Sequence, residues 1–465
     1  MRLLSDGNTR NLKTLPKLSC RHKKEMYLPL TFFKVEKNMP WGITNRRHFM
    51  THLAGAAAVA SQTSLFFSNL AAAAGPTATA ASKRKFKSII WLNLPGGASM
   101  MDFFDNKPGH QNNGETKSME TAVSGIKINE LLPTIAKEMK SLAIIRSLTK
   151  TEGDHNRGTI LTQTGRAPNP LVAYPSFPAT FSWLNREFEA DLPSFISIGG
   201  GGAMGPGFLG NKFAPFTVQN PGTPPENIKP PQGVDESRMI RREKMFEGIE
   251  SGFQTKAEKD AAKAHQELYE KAFSLVVSKN KEVFMLDKEP TKLKDDYGPS
   301  NFGRGMLLAR RLVEAGAASV SVELGGWDMH QNIFTGLARQ LPIVDKAVGT
   351  LVRDLRERGL LGEVAFALNT EFQRTPRINA NTGRDHYPRT NSILIGGAGI
   401  KGGQVYGSTD AGCEGVKDNP VTMGDVFATL YAALGIKVED AQYRDQLGRP
   451  SNIAGEKAKV IKELV

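Results

Sequence analysis

From residue 86 onward, short apolar runs alternate with longer segments of helical spacing, and this alternation constrains the fold more than any other feature. The runs fall at residues 86–94, 142–146, 195–198, 318–324 and 364–368. Helical segments lie at 301–316, stopped by Gly316, and at about 335–358, ended by Gly359. Unbroken apolar runs of strand length imply burial on both faces, and strand–helix alternation implies parallel pairing. The expectation is an α/β fold, a mainly parallel sheet covered by helices on both faces, as a single domain over residues 83–465. A proline-rich connector at 221–231 precedes a lysine- and glutamate-rich stretch at 235–287. Ala261, Ala264, Leu268 and Leu275 recur there at helical spacing. This predicts a mostly helical insertion at about 221–300, with His265 on its surface.

The charge divides unevenly along the chain. Residues 1–74 hold eleven Lys or Arg against three acids, and the rest hold 49 against 44. Most of the basic excess therefore belongs to a leader, and a nucleic-acid partner loses its main support. In that leader, Thr44-Asn45-Arg46-Arg47-His48-Phe49-Met50 precedes an alanine-rich stretch to about Ala74. Paired arginines, a modest apolar run and a small-residue ending fit a signal for the twin-arginine export machinery. A periplasmic or secreted protein follows. Ser61, Gln62, Thr63 and Ser64 interrupt the apolar segment, which argues against a permanent membrane span. Translation is expected to start at Met39, or at Met26, placing the arginine pair near the start. Cys20 lies in the leader and only Cys413 beyond it, so the exported chain can form no internal disulfide.

The formal match Gly200-x-Gly202-x-x-Gly205 is no dinucleotide fingerprint, because Pro206, Gly207 and Pro215 follow where a helix must begin. No phosphate-binding loop and no nucleophile elbow occurs either. Chemistry-bearing residues gather after the apolar runs instead. Five histidines follow the leader: His110, His155, His265, His330 and His386. Asp328 and His330 are two apart, so in extended backbone both leave on one face and can share a cation. Imidazole and carboxylate suit zinc, manganese or a similar divalent metal. Glu371 ends the run at 364–368, at the sheet edge where ligands of open α/β folds bind, and can converge with the Asp385-His386 pair. Arg374, Arg377 and Arg384 can clamp a phosphate or sulfate. Gly396–Gly399 and Gly402–Gly403 can offer backbone N–H groups to an anion. Candidate hydroxyl nucleophiles are Ser99, Thr149 and Thr151; a hydroxyl at such a place is more often a helix cap.

At Gly325-Gly-Trp-Asp-Met-His330, and from Glu371-Phe-Gln-Arg-Thr-Pro376 to Arg384-Asp-His-Tyr-Pro388, the chain resembles the exported bacterial family called domain of unknown function 1501. Gly96-Gly-Ala-Ser99 with Asp102 and Asp105, residues 308–314 and Gly402-Gly-Gln-Val-Tyr-Gly407 extend the match. That family is grouped with the alkaline phosphatase and sulfatase superfamily. The resemblance implies an alkaline phosphatase-like α/β sandwich and a metal-assisted hydrolase of small anionic esters or glycans. It makes Asp328, His330 and His386 ligands of one metal (zinc, manganese or calcium), with Glu371 and Asp385 as further carboxylates. Thr151, four residues before His155, resembles the nucleophile spacing of the phosphomutase branch. His155, Arg374 and Arg384 complete the expected catalytic set. Three positions depart from the pattern: Asn93 stands in place of a metal-binding aspartate, Phe372 in place of a histidine, and Gln373 in place of a glycine. A single metal per chain is therefore expected. The alternative is an inactive exported relative that binds an anion, a glycan or a protein.

Overall fold

The computed structural model describes residues 88–149, 152–187, 192–200, 204–225, 234–250, 276 and 279–465. The chain divides into Met1–Ser82 and Lys83–Val465. The first unit, with the paired arginines, Met39 and Cys20, lies outside the described residues. So do Thr151, His265, Ala261, Ala264, Leu268 and Leu275.

Eight strands form the main sheet: β1 (Ser88–Asn93), β2 (Leu142–Leu148), β3 (Phe195–Ile198), β4 (Phe216–Val218), β5 (Ser319–Glu323), β6 (Val364–Asn369), β7 (Asn391–Gly397) and β8 (Gln404–Tyr406). Their order across the sheet is β8-β2-β7-β6-β1-β5-β3-β4. All neighbours are parallel except β7, which runs antiparallel to both β6 and β2. The sheet is thus mainly parallel, as the alternating runs predict.

Strand β1, buried throughout, shows why both faces are covered. Ile89 and Trp91 enter one apolar cluster with Phe177 and Phe427, from the helices Phe177–Leu184 and Met423–Ala433. Ile90 and Leu92 enter another with Leu308 and Leu341, from the helices Asn301–Glu314 and Ile333–Glu357. Successive strand side chains leave opposite faces, so a run without a polar break needs helices on both sides. Within the expected insertion, the described residues include the helices Glu236–Glu250 and Thr291–Tyr297. Arg310, 1% exposed, ties this region down by holding Glu289 at 2.7 Å and Asp354 at 3.0 Å, and the Tyr297 hydroxyl donates to Asp354. No helix among the described residues is long and apolar enough to cross a membrane.

The direction of β7 corrects one expectation. Gly396 and Gly397 lie opposite Phe366 and Ala365, in the first half of β6. They therefore sit at the far edge of the sheet from Glu371, which follows the last residue of β6. Gly403 turns its N–H to the carbonyls of Met139 and Leu142 at that same far edge. Neither glycine group can serve an anion beside Glu371. Apolar periodicity reports burial and carries no information about strand direction.

Candidate metal centre

Three loops at the carboxyl ends of the parallel strands build the site. The first follows β1. Its Gly96, at φ 111°, lies against the backbone of Trp327 and Asp328, where a Cβ would meet the Asp328 nitrogen at 2.7 Å. Only glycine tolerates both the conformation and the approach. The second loop follows β5. Trp327, 1% exposed, packs on Phe103 with ring centroids 5.3 Å apart and donates its indole N–H to the Leu324 carbonyl. That anchor leaves Asp328 and His330 to project from the rim. The third is the segment after β6, folded back so that Arg374 pairs with His386 and Gln373 with Tyr387. This hairpin docks on the second loop through backbone bonds from Asn332, Ile333 and Arg384 to Asn381, Thr382 and Met329. Gly383 makes the seam, since a methyl there would overlap the His330 carbonyl. Gly383→Ala is expected to cost about 1–3 kcal/mol through overpacking, read from urea denaturation.

The fourth contribution comes from the helix His155–Thr164. Asp154 caps its start by accepting the Arg157 N–H at 3.0 Å, and Gly165 ends it in the left-handed conformation. His155 is thereby fixed at the first helical position. Gly158 packs within 3.2 Å (as a built Cβ) of Glu371 and Phe372, which holds that turn against the third loop.

Three imidazoles converge on Asp328. His330 Nε2 lies 3.0 Å from Asp328 Oδ1, His386 Nε2 lies 3.5 Å from the same oxygen, and His155 Nε2 lies 3.5 Å from Oδ2. The Nε2 atoms of His330 and His386 are 3.2 Å apart. Each ring has an acceptor at its other nitrogen. His155 Nδ1 meets Glu371 Oε1 at 2.8 Å, His330 Nδ1 meets Asp385 Oδ1 at 2.8 Å, and His386 Nδ1 meets the Gly153 carbonyl at 2.8 Å. A carbonyl or carboxylate can only accept, so each Nδ1 carries a proton, and a ring that is neutral presents its Nε2 lone pair to the cluster. Nε2 of His155 is buried and makes no hydrogen bond.

Lone pairs facing one another beside a carboxylate repel unless a cation joins them. Nitrogen ligands at about 2.0–2.1 Å in a tetrahedron stand about 3.3–3.4 Å from one another, close to the separations found here. His155, Asp328 and His386 offer ligand atoms all within 4.8 Å of one another. An acceptor at the far nitrogen of every ligand histidine is the usual support for a metal-binding imidazole. The donor set suits a divalent cation.

Electrostatics agree with this. Burial works to raise the Asp328 carboxyl, but hydrogen bonding and charge from Arg374 hold it below its ordinary value. The hydrogen bond from His330 holds the Asp385 carboxyl below its ordinary value as well.

The expected residues thus divide by position. Asp328, His330 and His386 come together, and His155, expected as catalytic, joins Asp328 and His386 with ligand atoms all within 4.8 Å of one another, while His330 Nε2 also meets Arg374 at 3.3 Å. Glu371, 4% exposed, faces His155 Nδ1 and the Gly96 N–H at 2.7 Å. Asp385 faces His330 Nδ1. Both carboxylates therefore orient rings, which corrects the expectation that they ligate. Glu371→Gln is expected to weaken metal affinity about 10–100-fold, as competition with a chromogenic chelator would show.

The arginines also need correction. Arg384 is fully buried and engages all five of its N–H groups: two on Asp102 at 2.9 and 3.0 Å, and three on the carbonyls of Asn112, Thr375 and Pro376. Arg374, equally buried, is engaged by the carbonyls of Gly96, Gly97 and Arg384, by Asp328 and by His330 Nε2 at 3.3 Å. Neither has a donor left to clamp an anion, and Arg377 is exposed. Ser99 spends its hydroxyl on Asp102 at 2.6 Å.

Departing Phe372 has a place in the same geometry. Its ring lies 4.9 Å from His155 and 4.6 Å from His386, an apolar wall on one side of the cluster.

No curated protein matches the chain. A family model described as "Protein of unknown function (DUF1501)" matches residues 86–465. Similar solved structures include a protein in the alkaline phosphatase superfamily from Vibrio parahaemolyticus, 11% identical, covering 76% of this chain and 67% of that one at a TM-score of 0.32. The PsFucS1 sulfatase from Pseudoalteromonas sp. is 14% identical over 76% of this chain and 69% of its own, at 0.34. The lipoteichoic acid synthase LtaP from Listeria monocytogenes is 9% identical over 79% and 76%, at 0.35.

Proposed function

This chain belongs to the DUF1501 family, and we propose that it is an exported metal-dependent hydrolase of phosphate or sulfate esters, alkaline phosphatase-like in kind. One observation carries the reading: ligand atoms of His155, His386 and Asp328 lie within 4.8 Å of one another, with the Nδ1 of both rings already committed. His155, Asp328 and His386, with His330 beside Asp328, would hold one divalent cation (zinc, manganese or calcium). When bound, it supplies Lewis-acid polarisation of an ester oxygen. Phe372 leaves no polar ligand on its side, which suits a single cation.

The chain's own groups do the rest. Arg374 fixes Asp328 and the first loop, so the donors are positioned before substrate arrives. His386 donates to the Gly153 carbonyl and so fastens the 152–154 segment to the cluster. Thr151, or a water, is the attacking hydroxyl. The cluster is open enough for an ester to reach it, with Asp328 50% exposed.

Turnover of 4-nitrophenyl phosphate and 4-nitrophenyl sulfate with added zinc, manganese or calcium is the test, alongside elemental analysis of the purified protein. Activity that disappears in His386→Ala while circular dichroism is unchanged supports the reading. Inactivity across the panel with no metal retained overturns it. Export through the paired arginines belongs to the same proposal, and cell fractionation checks it. A second reading, an inactive relative that binds an anion, glycan or protein, is favoured by one observation: every N–H of Arg374 and Arg384 is spent inside the protein. Bound metal without turnover would select it.

A further inference from the structure

The side chain of Arg374 is fully buried and surrounded by acceptors alone. Nε donates to the Gly97 carbonyl at 2.7 Å, and Nη1 donates to the Arg384 carbonyl at 3.1 Å and to His330 Nε2 at 3.3 Å. Nη2 donates to the Gly96 carbonyl and to Asp328 Oδ1. The acceptors come from the loops after β1 and β5 and from the hairpin after β6, and each N–H has one of its own. Such a ring is a cation site whose cation belongs to the chain. The place is shaped for it. Gly97, at φ 65°, makes room, since a Cβ there would run into the Phe372 ring and come within 3.2 Å of Arg374 Nε. The guanidinium carbon lies 5.8 Å from the centroid of that same ring.

His330 stands where this ring meets the metal centre. Its Nδ1 is committed to Asp385, so the neutral imidazole has one lone pair, at Nε2. An N–H of Arg374 already points at it. Turning that lone pair to a metal would strand a buried N–H, which is unfavourable. A ligand set also closes without it: His155, Asp328 and His386 offer atoms within 4.8 Å of one another, and His330 is outside that set. Asp328 has an oxygen for each side. Its Oδ1 accepts from Arg374, and its Oδ2 lies 3.5 Å from His155 Nε2.

We propose that this is a two-cation centre in which one cation is the Arg374 guanidinium, with His330 in its ring, and the other is a divalent ion held by His155, Asp328 and His386 alone. This rests on the metal-centre reading and narrows it. Three protein ligands are the usual number in a catalytic centre, where a position stays open for water or substrate. Arg374 is a positioning residue: its N–H groups are all spent, and it holds three loops around Asp328 with or without the ion.

Isothermal titration with zinc and manganese is made on the full chain as wild type, His330→Gln, His386→Gln and Arg374→Ala. Arg374→Ala is measured with and without millimolar guanidinium chloride, sodium chloride balancing the ionic strength. Glutamine at 330 keeps an acceptor for Arg374. Affinity within about threefold of the wild type in His330→Gln, against a loss of more than about 100-fold in His386→Gln, supports the division. Equal losses in the two overturn it, because His330 would then be a ligand. In Arg374→Ala, affinity should fall about 10–100-fold, as for other outer partners of a metal site, and guanidinium should restore it where sodium does not. No loss, or a loss that guanidinium leaves unchanged, overturns the ring as a cation site. If Arg374→Ala folds in neither solution, Arg374→Lys replaces it, keeping the charge without the fork. Affinity at least about tenfold below the wild type then upholds the ring, and equal affinity removes it. If the wild type takes up no metal, the metal-centre reading fails and thermal melts decide the ring alone. A melting temperature that guanidinium raises in Arg374→Ala and not in the wild type upholds it, and no rise removes it.

Discussion

Replacing Asp328 by alanine is expected to lower metal affinity by more than about 100-fold, since loss of a mere orienting partner already costs about 10–100-fold. Asp328 is the only anion among the converging donors. Its Oδ1 lies within 3.5 Å of both His330 Nε2 and His386 Nε2, and Oδ2 lies 3.5 Å from His155 Nε2. Without it, imidazoles remain around a cation that no anion touches directly, next to the fixed positive charge of Arg374. The side chain is half exposed, but it is the carboxylate paired with the fully buried Arg374, so some loss of stability accompanies the loss of affinity. Isothermal titration with zinc and manganese, with circular dichroism as the control for folding, makes the measurement. Affinity within threefold of the wild type would exclude this cluster as a metal centre.

Arg384→Met is expected to destabilise the protein by about 3–5 kcal/mol, the usual cost of leaving one member of a buried ion pair alone. Asp102 is 1% exposed and Arg384 fully buried, and the pair is bidentate. Asp102 would keep bonds from Ser99 at 2.6 Å and Thr116 at 2.8 Å, but no cation. Three backbone carbonyls would lose their donors as well. Adding Asp102→Asn removes the stranded charge, so the double variant should recover part of the loss. Chemical denaturation of both variants checks this. A loss below about 1 kcal/mol in Arg384→Met would mean the pair contributes little. Because Arg384 lies in the hairpin that carries Asp385 and His386, its loss should also loosen the metal centre.

Much of the scaffold was legible in the sequence. Strands β3 and β6 fall where unbroken apolar runs place them, and Asp328 and His330 project from the loop after β5 as their spacing suggests. What escaped was direction and partnership. The run that became β7 looks like the others, yet its antiparallel course sends its glycines to the wrong edge. Arg374 and Arg384 look like anion holders in a polar loop. Their burial is set by the first loop and by Asp102, 277 and 282 residues away in the chain. Glu371 and Asp385 carry the right chemistry for ligands, but which of two shells a carboxylate joins depends on which nitrogen of a ring it meets. His155 could have been promoted from its own neighbourhood: Asp154 is a ready N-cap, so the next side chain is fixed at the mouth of a strand–loop–helix turn.

The hydrogen bond from His386 to the Gly153 carbonyl joins positions 233 residues apart, and the four converging side chains come from equally scattered stretches. An unfolded chain has no partial version of such a centre, so a cation would be captured only once the whole sheet is assembled. Geometry, ligand type and the availability of each metal, more than raw affinity, decide which divalent ion a site takes. The ion found in the protein would then record the mineral composition of the compartment in which folding was completed, and not that of the place where the molecule is later found.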